Sequence, residues 1–196
     1  MKHYEIELPE DYRQVYEIDA KDRKTAILLN LVALVVLVLS LLPFLLSLGF
    51  RGLFRLPSQA QLLTLYVVLL VSVIAYMVLH ELVHGAVYKL LTRQKLTFGL
   101  SLSCAYCGVP DIYVYRTASL LAILAPFVVF TILFLPLALL TGSHPVLRLT
   151  SVLLFCANLS GCVGDLYGAA LMLFRFRDPK LLVRDTGPKQ TYYLPE

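Results

Sequence analysis

The sequence predicts an all-α membrane protein of about four transmembrane helices, with a small β-hairpin between the second and third. Three observations carry this expectation. Of the 196 residues, 59% are hydrophobic and only 15% charged, and the mean hydropathy is +0.76, far from the balance of soluble domains. Four apolar runs, Ala26–Leu48, Leu62–Leu91, Ala118–Leu140 and Leu149–Phe174, are each long enough to cross roughly 30 Å of hydrocarbon. Residues 96–116, LTFGLSLSCAYCGVPDIYVYR, alternate polar and apolar positions and break at Gly108-Val109-Pro110, which reads as two short strands around a turn.

Residues 1–24 read as a cytoplasmic N-terminal arm, in which the alternation Tyr4-Glu5-Ile6-Glu7-Leu8 suggests a strand ended by Pro9. A polar arm of that length is unlike a cleaved signal sequence, so the first span is expected to be retained. Residues 25–175 form the transmembrane domain and 176–196 a cytoplasmic C-terminal tail. Gly49, Gly52 and Pro57 mark an outer loop over residues 49–61. Pro126 and Pro136 either kink the third span, opening a path for water, or adjust its packing.

Of the 17 lysines and arginines, all but Arg51, Arg55 and Arg148 fall in the arm, in the loop region from Lys89 to Arg116, or from Arg175 onward. Short loops rich in Lys and Arg stay on the cytoplasmic side, so a multi-pass cell-membrane protein with both termini in the cytoplasm is expected. The net charge of +4 points to acidic lipid headgroups of the bilayer. It does not point to nucleic acid, because the basic residues are dispersed at membrane borders with no aromatic-laced stripe. Cys156 and Cys162 fall inside a span, and Cys104 and Cys107 on the cytoplasmic side, so the four cysteines form no secreted disulfide framework. Cys104-Ala105-Tyr106-Cys107 has metal-ligand spacing but lacks two further ligands nearby. The thiols are incidental, or serve a redox or second metal role.

The chemistry lies in His80-Glu81-Leu82-Val83-His84, near the end of the second span. Histidines four apart stand about 40° apart around a helix, so both imidazoles reach one metal, with Glu81 beside them. Ionisable groups in an apolar span are costly and need partners or a water-filled pocket, and a bound Zn2+ would compensate them. A catalytic zinc usually takes three protein ligands and leaves one position for water. His3 lies in the arm and His144 in an outer loop. Asp165 is the acidic residue inside the fourth span, and it sits at the depth of His80 to within roughly one helical turn, which supports it as the third ligand. Small residues around it, Ser160, Gly161, Gly164 and Gly168, permit close helix approach. Asn158, two turns earlier, would orient the aspartate, bind substrate main chain or bridge helices. Tyr76 and Tyr88, one turn from the histidines, line the pocket or pack the core. Glu81 would take a proton from water and pass it to a leaving amine, which makes peptide hydrolysis the reaction class. A strand edge of the hairpin would either pair with an extended membrane-protein or peptide substrate or simply lie on the surface.

His80 to Gly85 in a span, a hairpin-like loop after it, Ala125-Pro126 in the next helix, and Ser160-Gly161 with Gly164-Asp165-Leu166 in the last together resemble the putative zincin peptidase family of small bacterial membrane proteins. That family is similar in turn to the site-2 protease intramembrane metalloproteases. The resemblance implies zinc held by His80, His84 and Asp165, Glu81 as general base, and cleavage of membrane-embedded substrates near the cytoplasmic leaflet. The chain departs from the site-2 protease pattern in having no proline between Asn158 and Asp165 and in placing Leu166 after the aspartate. The alternative is a divalent-metal transporter or sensor that uses the same ligands without hydrolysis. Such a protein would not need Glu81 and would more commonly show repeated halves.

Overall fold

Side chains that are apolar around a helix's whole circumference cannot be buried by one neighbouring face, and the long helices here follow that rule. The computed structural model describes residues 2–54, 58–100, 105–141 and 144–196. Helix α1 runs over Arg23–Phe54 and α2 over Gln59–Thr92. Leu31, Val35, Leu39, Leu63, Val67 and Leu70 on them are each more than half exposed. Lipid, not water, accepts such a surface at low cost. With α3 over Arg116–Leu140 and a fourth helical run over Pro145–Arg175, four helices among the described residues are long and apolar enough to cross a membrane.

Local chemistry sets their ends. Asp22 caps α1, its Oδ2 accepting the Thr25 backbone N–H at 2.9 Å. Gly49, at φ 68°, interrupts the helix where the outer loop was expected. Arg93 adopts φ 57° just past α2 and donates its N–H to the Lys89 carbonyl at 2.9 Å, a left-handed cap. The fourth run is not continuous. Helix α4 spans Pro145–Gly161 and stops at Cys162, with φ −80° and ψ 4°. Helix α5 covers Val163–Ala170, and a single π-helical turn covers Leu171–Arg175.

The chain divides into two compact units. One takes Asn30–Val78 and Phe127–Val163, and its core is built on Phe44, Leu65, Ala138, Leu149, Val152 and Cys156. Inside it the Tyr76 hydroxyl donates to Asn158 Oδ1 at 3.1 Å, and Asn158 Nδ2 donates to Thr131 Oγ1 at 3.1 Å.

The other unit takes the chain up to Leu29, Leu79–Pro126, and the chain from Gly164 onward. It corrects the all-α expectation. Strands β1 (Tyr4–Glu5), β2 (Tyr12–Asp19), β5 (Tyr113–Tyr115), β6 (Leu182–Asp185) and β7 (Lys189–Pro195) form one antiparallel sheet in the order β1-β5-β6-β7-β2. The polar arm and the tail are therefore paired strands, with Tyr12 opposite Pro195 and Asp19 opposite Lys189. Inward Leu181, Val183 and Tyr192 are fully buried and pack with Ile123, Ala169 and Met172. A separate two-stranded sheet pairs β3 (Thr97–Leu100) with β4 (Ala105–Gly108).

The chain turns after Gly108, the Ile112 N–H reaching the Val109 carbonyl at 3.4 Å, but the expected hairpin across Gly108-Val109-Pro110 is corrected, because β4 and β5 on either side lie in different sheets. Residues 101–104, Cys104 among them, lie between β3 and β4 and outside the described residues, whereas 108–110 lead onward to β5 in the larger sheet. A Cβ at Gly108 would collide with the Thr186–Gly187 backbone. Glycine is required there because the two backbones touch.

Below this junction Asp185 is buried. Its Oδ2 accepts the Tyr88 hydroxyl at 2.7 Å and its Oδ1 the Gly187 N–H at 2.9 Å. Burial pushes its carboxyl up to about 6, against the pull of those two donors. The folded chain thus holds this proton more tightly than the unfolded chain does. The stability it contributes is full below about pH 4 and is lost as pH rises to about 6, by about 3 kcal/mol. In detergent melts, wild type should lose stability relative to Asp185→Asn across that window, with a constant gap above pH 7. A gap independent of pH would contradict the assignment.

Candidate metal centre

No proline interrupts residues 59–92, so the HELVH segment stays helical and its two histidines project from one side of α2. Both are buried. Asp165 comes from the first turn of α5, where free N–H groups and the helix dipole favour a carboxylate. Two contacts press α5 onto the sheet. A Cβ on Gly168 would lie 2.8 Å from Gln190 Oε1 and 3.2 Å from the Tyr192 hydroxyl, and the Tyr167 hydroxyl shares a hydrogen bond of 2.7 Å with the Tyr16 hydroxyl.

The result is a tight triangle of donor atoms. His80 Nε2 and His84 Nε2 are 3.2 Å apart, and Asp165 Oδ2 is 3.3 Å from the first and 3.4 Å from the second. A tetrahedral zinc with bonds of roughly 2.0–2.1 Å separates its ligand atoms by roughly 3.3–3.4 Å, so this triangle matches one face of such a site. The chemistry of the set agrees with its spacing. His84 Nδ1 lies 2.9 Å from the Ala122 carbonyl, which can only accept, so Nδ1 carries the hydrogen and Nε2 keeps its lone pair toward the triangle.

Glu81 is half-buried beside the histidines, and the Cys107 backbone N–H on β4 faces its carboxylate. The β3–β4 pair reaches it because residue 85 is glycine. A Cβ there would lie 2.8 Å from Phe98 Cζ, 3.1 Å from Leu96 Cδ1 and 3.3 Å from Cys107 Sγ. Burial, together with the negative charges of Asp185 and Glu81, pushes the Cys107 thiol up to about 12, so it stays protonated and inert. Cys104, the other thiol of that segment, lies outside the described residues.

Of the other expected residues, Asn158 is fully buried with both ends of its amide engaged by Tyr76 and Thr131. Tyr76 also packs edge-on against Phe130, at 5.1 Å between centroids. Tyr88 is buried against Asp185. Two main-chain groups at the site were not anticipated, the Ala122 carbonyl and the Cys107 N–H. Main-chain groups leave no residue signature, although for Ala122 a signal was present four residues later.

Comparison with protein-family models matches the family described as "Putative zincin peptidase" over residues 73–178. That is more than half of the chain, and it runs from α2 through HELVH to just beyond the helical run that carries Asp165. No curated protein and no solved structure matches the chain.

The packing at Gly85 has a measurable consequence. Gly85→Val should lower stability by about 1–3 kcal/mol through overpacking against Phe98 and Leu96, and Gly85→Ala by less. Detergent melts of the two variants check this, and an unchanged Gly85→Val midpoint would contradict the close approach.

Proposed function

Because the chain belongs to the putative zincin peptidase family, we propose that it is a zinc-dependent endopeptidase of the cell membrane, similar to the site-2 proteases. Its substrates are peptide bonds of membrane-embedded or membrane-associated segments near the cytoplasmic leaflet. The observation that carries this reading is the triangle of His80, His84 and Asp165, with ligand atoms 3.2–3.4 Å apart and Glu81 beside it.

In this reading His80, His84 and Asp165 hold the metal. Zinc, when bound, supplies a Lewis acid that polarises the scissile carbonyl and acidifies water. Glu81 takes the proton of the attacking water and delivers it to the amide nitrogen as the C–N bond breaks. The Cys107 N–H orients the Glu81 carboxylate. A substrate lying extended along β4, whose only partner strand among the described residues is β3, would meet that base. The basic residues of the arm, the β-rich segment after α2 and the tail favour a cytoplasmic position for the sheet and both termini. The contacts of Asn158 favour helix bridging over substrate binding.

The test is elemental analysis of detergent-purified chain, paired with cleavage of a transmembrane reporter in liposomes. One zinc per chain is expected for wild type and Glu81→Gln. His80→Ala, His84→Ala and Asp165→Ala should each lose it. Glu81→Gln should cut at least 100-fold more slowly than wild type. Full metal in Asp165→Ala would sink the ligand set, and undiminished cleavage by Glu81→Gln would sink the proton-transfer role. A transporter or sensor would keep its metal response in Glu81→Gln and cut nothing as wild type.

A further inference from the structure

The bond between His84 Nδ1 and the Ala122 carbonyl is one that an ordinary helix would not offer. In α3 the Ala122 carbonyl should accept the N–H of the residue four positions on. That residue is Pro126, which has none. The proline ring also crowds the carbonyl four residues back and tips it away from the helix axis. Ala122 is fully buried, so water cannot satisfy the freed oxygen, and a carbonyl left without a donor in such surroundings is costly. His84 Nδ1, 2.9 Å away, supplies the missing donor.

We propose that Pro126 is a positioning residue for the metal centre. By withholding an N–H it leaves the Ala122 carbonyl to His84 Nδ1, and so fixes the tautomer and ring orientation that point Nε2 at His80 and Asp165. The metal-facing half of this inference rests on the zinc reading above, whereas the tautomer half does not. Two needs are met by one bond. The carbonyl gains its donor, and the imidazole, which could carry its hydrogen on either nitrogen, is held in the form that can ligate. Outer hydrogen bonds of this kind typically change metal affinity by about 10–100-fold. An alanine at 126 would restore the helical N–H, draw the Ala122 oxygen back toward the axis and release His84.

The experiment uses the full chain in detergent with zinc alone as probe. It compares wild type, Pro126→Ala, Pro136→Ala, and a chain with lactic acid in place of Pro126, whose ester link also offers no N–H. Zinc affinity is read by chelator competition, and the His84 tautomer by nitrogen NMR of metal-free, histidine-labelled protein. Pro126→Ala should bind zinc about tenfold or more weakly and lose the Nδ1–H signature, while Pro136→Ala and the lactic acid chain stay within about twofold of wild type. Pro126→Ala with wild-type affinity and an intact Nδ1–H would overturn the inference. So would a lactic acid chain as weak as the alanine variant, since the ring and not the missing N–H would then matter. Should Pro126→Ala fail to fold, the lactic acid chain decides: wild-type affinity and tautomer support the inference, and their loss overturns it. A wild type that binds no zinc would sink the peptidase reading, yet its tautomer measurement would still test Pro126.

Discussion

Three polar atoms, His80 Nε2, His84 Nε2 and Asp165 Oδ2, are held within 3.4 Å of one another beside an apolar helix. With no proton or cation among them they repel, and in surroundings that exclude water each unsatisfied polar group costs several kcal/mol. Such an arrangement survives only if the surrounding chain fixes every donor's direction and a cation or shared proton occupies the centre. Much of the unit that carries the site answers to that constraint. One α-helical period sets the two histidines, the Ala122 carbonyl sets the tautomer of the second, and the sheet sets the third donor from outside α2.

The sheet's part is mechanical. Helix α5 has eight residues, too few to be stable on its own backbone bonds. It is held because Gly168 lets it lie against β7 and because Tyr167 meets Tyr16 of β2. The π-helical turn after it leaves carbonyls off the usual ladder, and Arg116 Nε donates to one of them, that of Met172, at 2.8 Å. The arm and tail strands are therefore not appendages. They form the surface on which the aspartate-bearing helix is seated, and Gly108 and Gly85 let the segment between α2 and α3 close on the same region.

How much of this could be read from the sequence follows from the range of the interactions involved. HELVH was legible because helical spacing alone puts two imidazoles on one face, and Asp165 because an acidic residue deep in an apolar run is costly enough to demand a purpose. The four long apolar helices were legible from length and hydropathy. The five-stranded sheet was not. Strands were read at Tyr4–Leu8 and within residues 96–116, where β1 and β5 lie, but the pairings that build the sheet join distant positions, as Tyr4 with Val114 and Tyr12 with Pro195, and no local pattern encodes them. The hairpin was misplaced because the turn after Gly108 joins β4 to β5, which lie in different sheets, and Gly108 itself is small to admit the Thr186–Gly187 backbone. Local chemistry at that point was read correctly as unusual and assigned to the wrong neighbour.

Pro126 shows how one residue type can hold both kinds of information. Read locally, a proline inside an apolar helix means a kink or a packing adjustment, and both meanings concern the helix itself. Read with the partner in view, the missing N–H is an acceptor set free on another residue, Ala122, and offered to a third, His84, on a different helix. A helix satisfies its own main chain so completely that it has little to offer a neighbour except side chains. Removing one donor is the cheapest way to make its backbone available. The resulting bond acts at fixed geometry, because a carbonyl in a helix moves only with the helix, whereas a side-chain acceptor would bring rotamer freedom of its own. For a ligand whose ring must point within a narrow cone, a main-chain acceptor released by proline is therefore a stiffer support than a second carboxylate, and it adds no charge to an already acidic site.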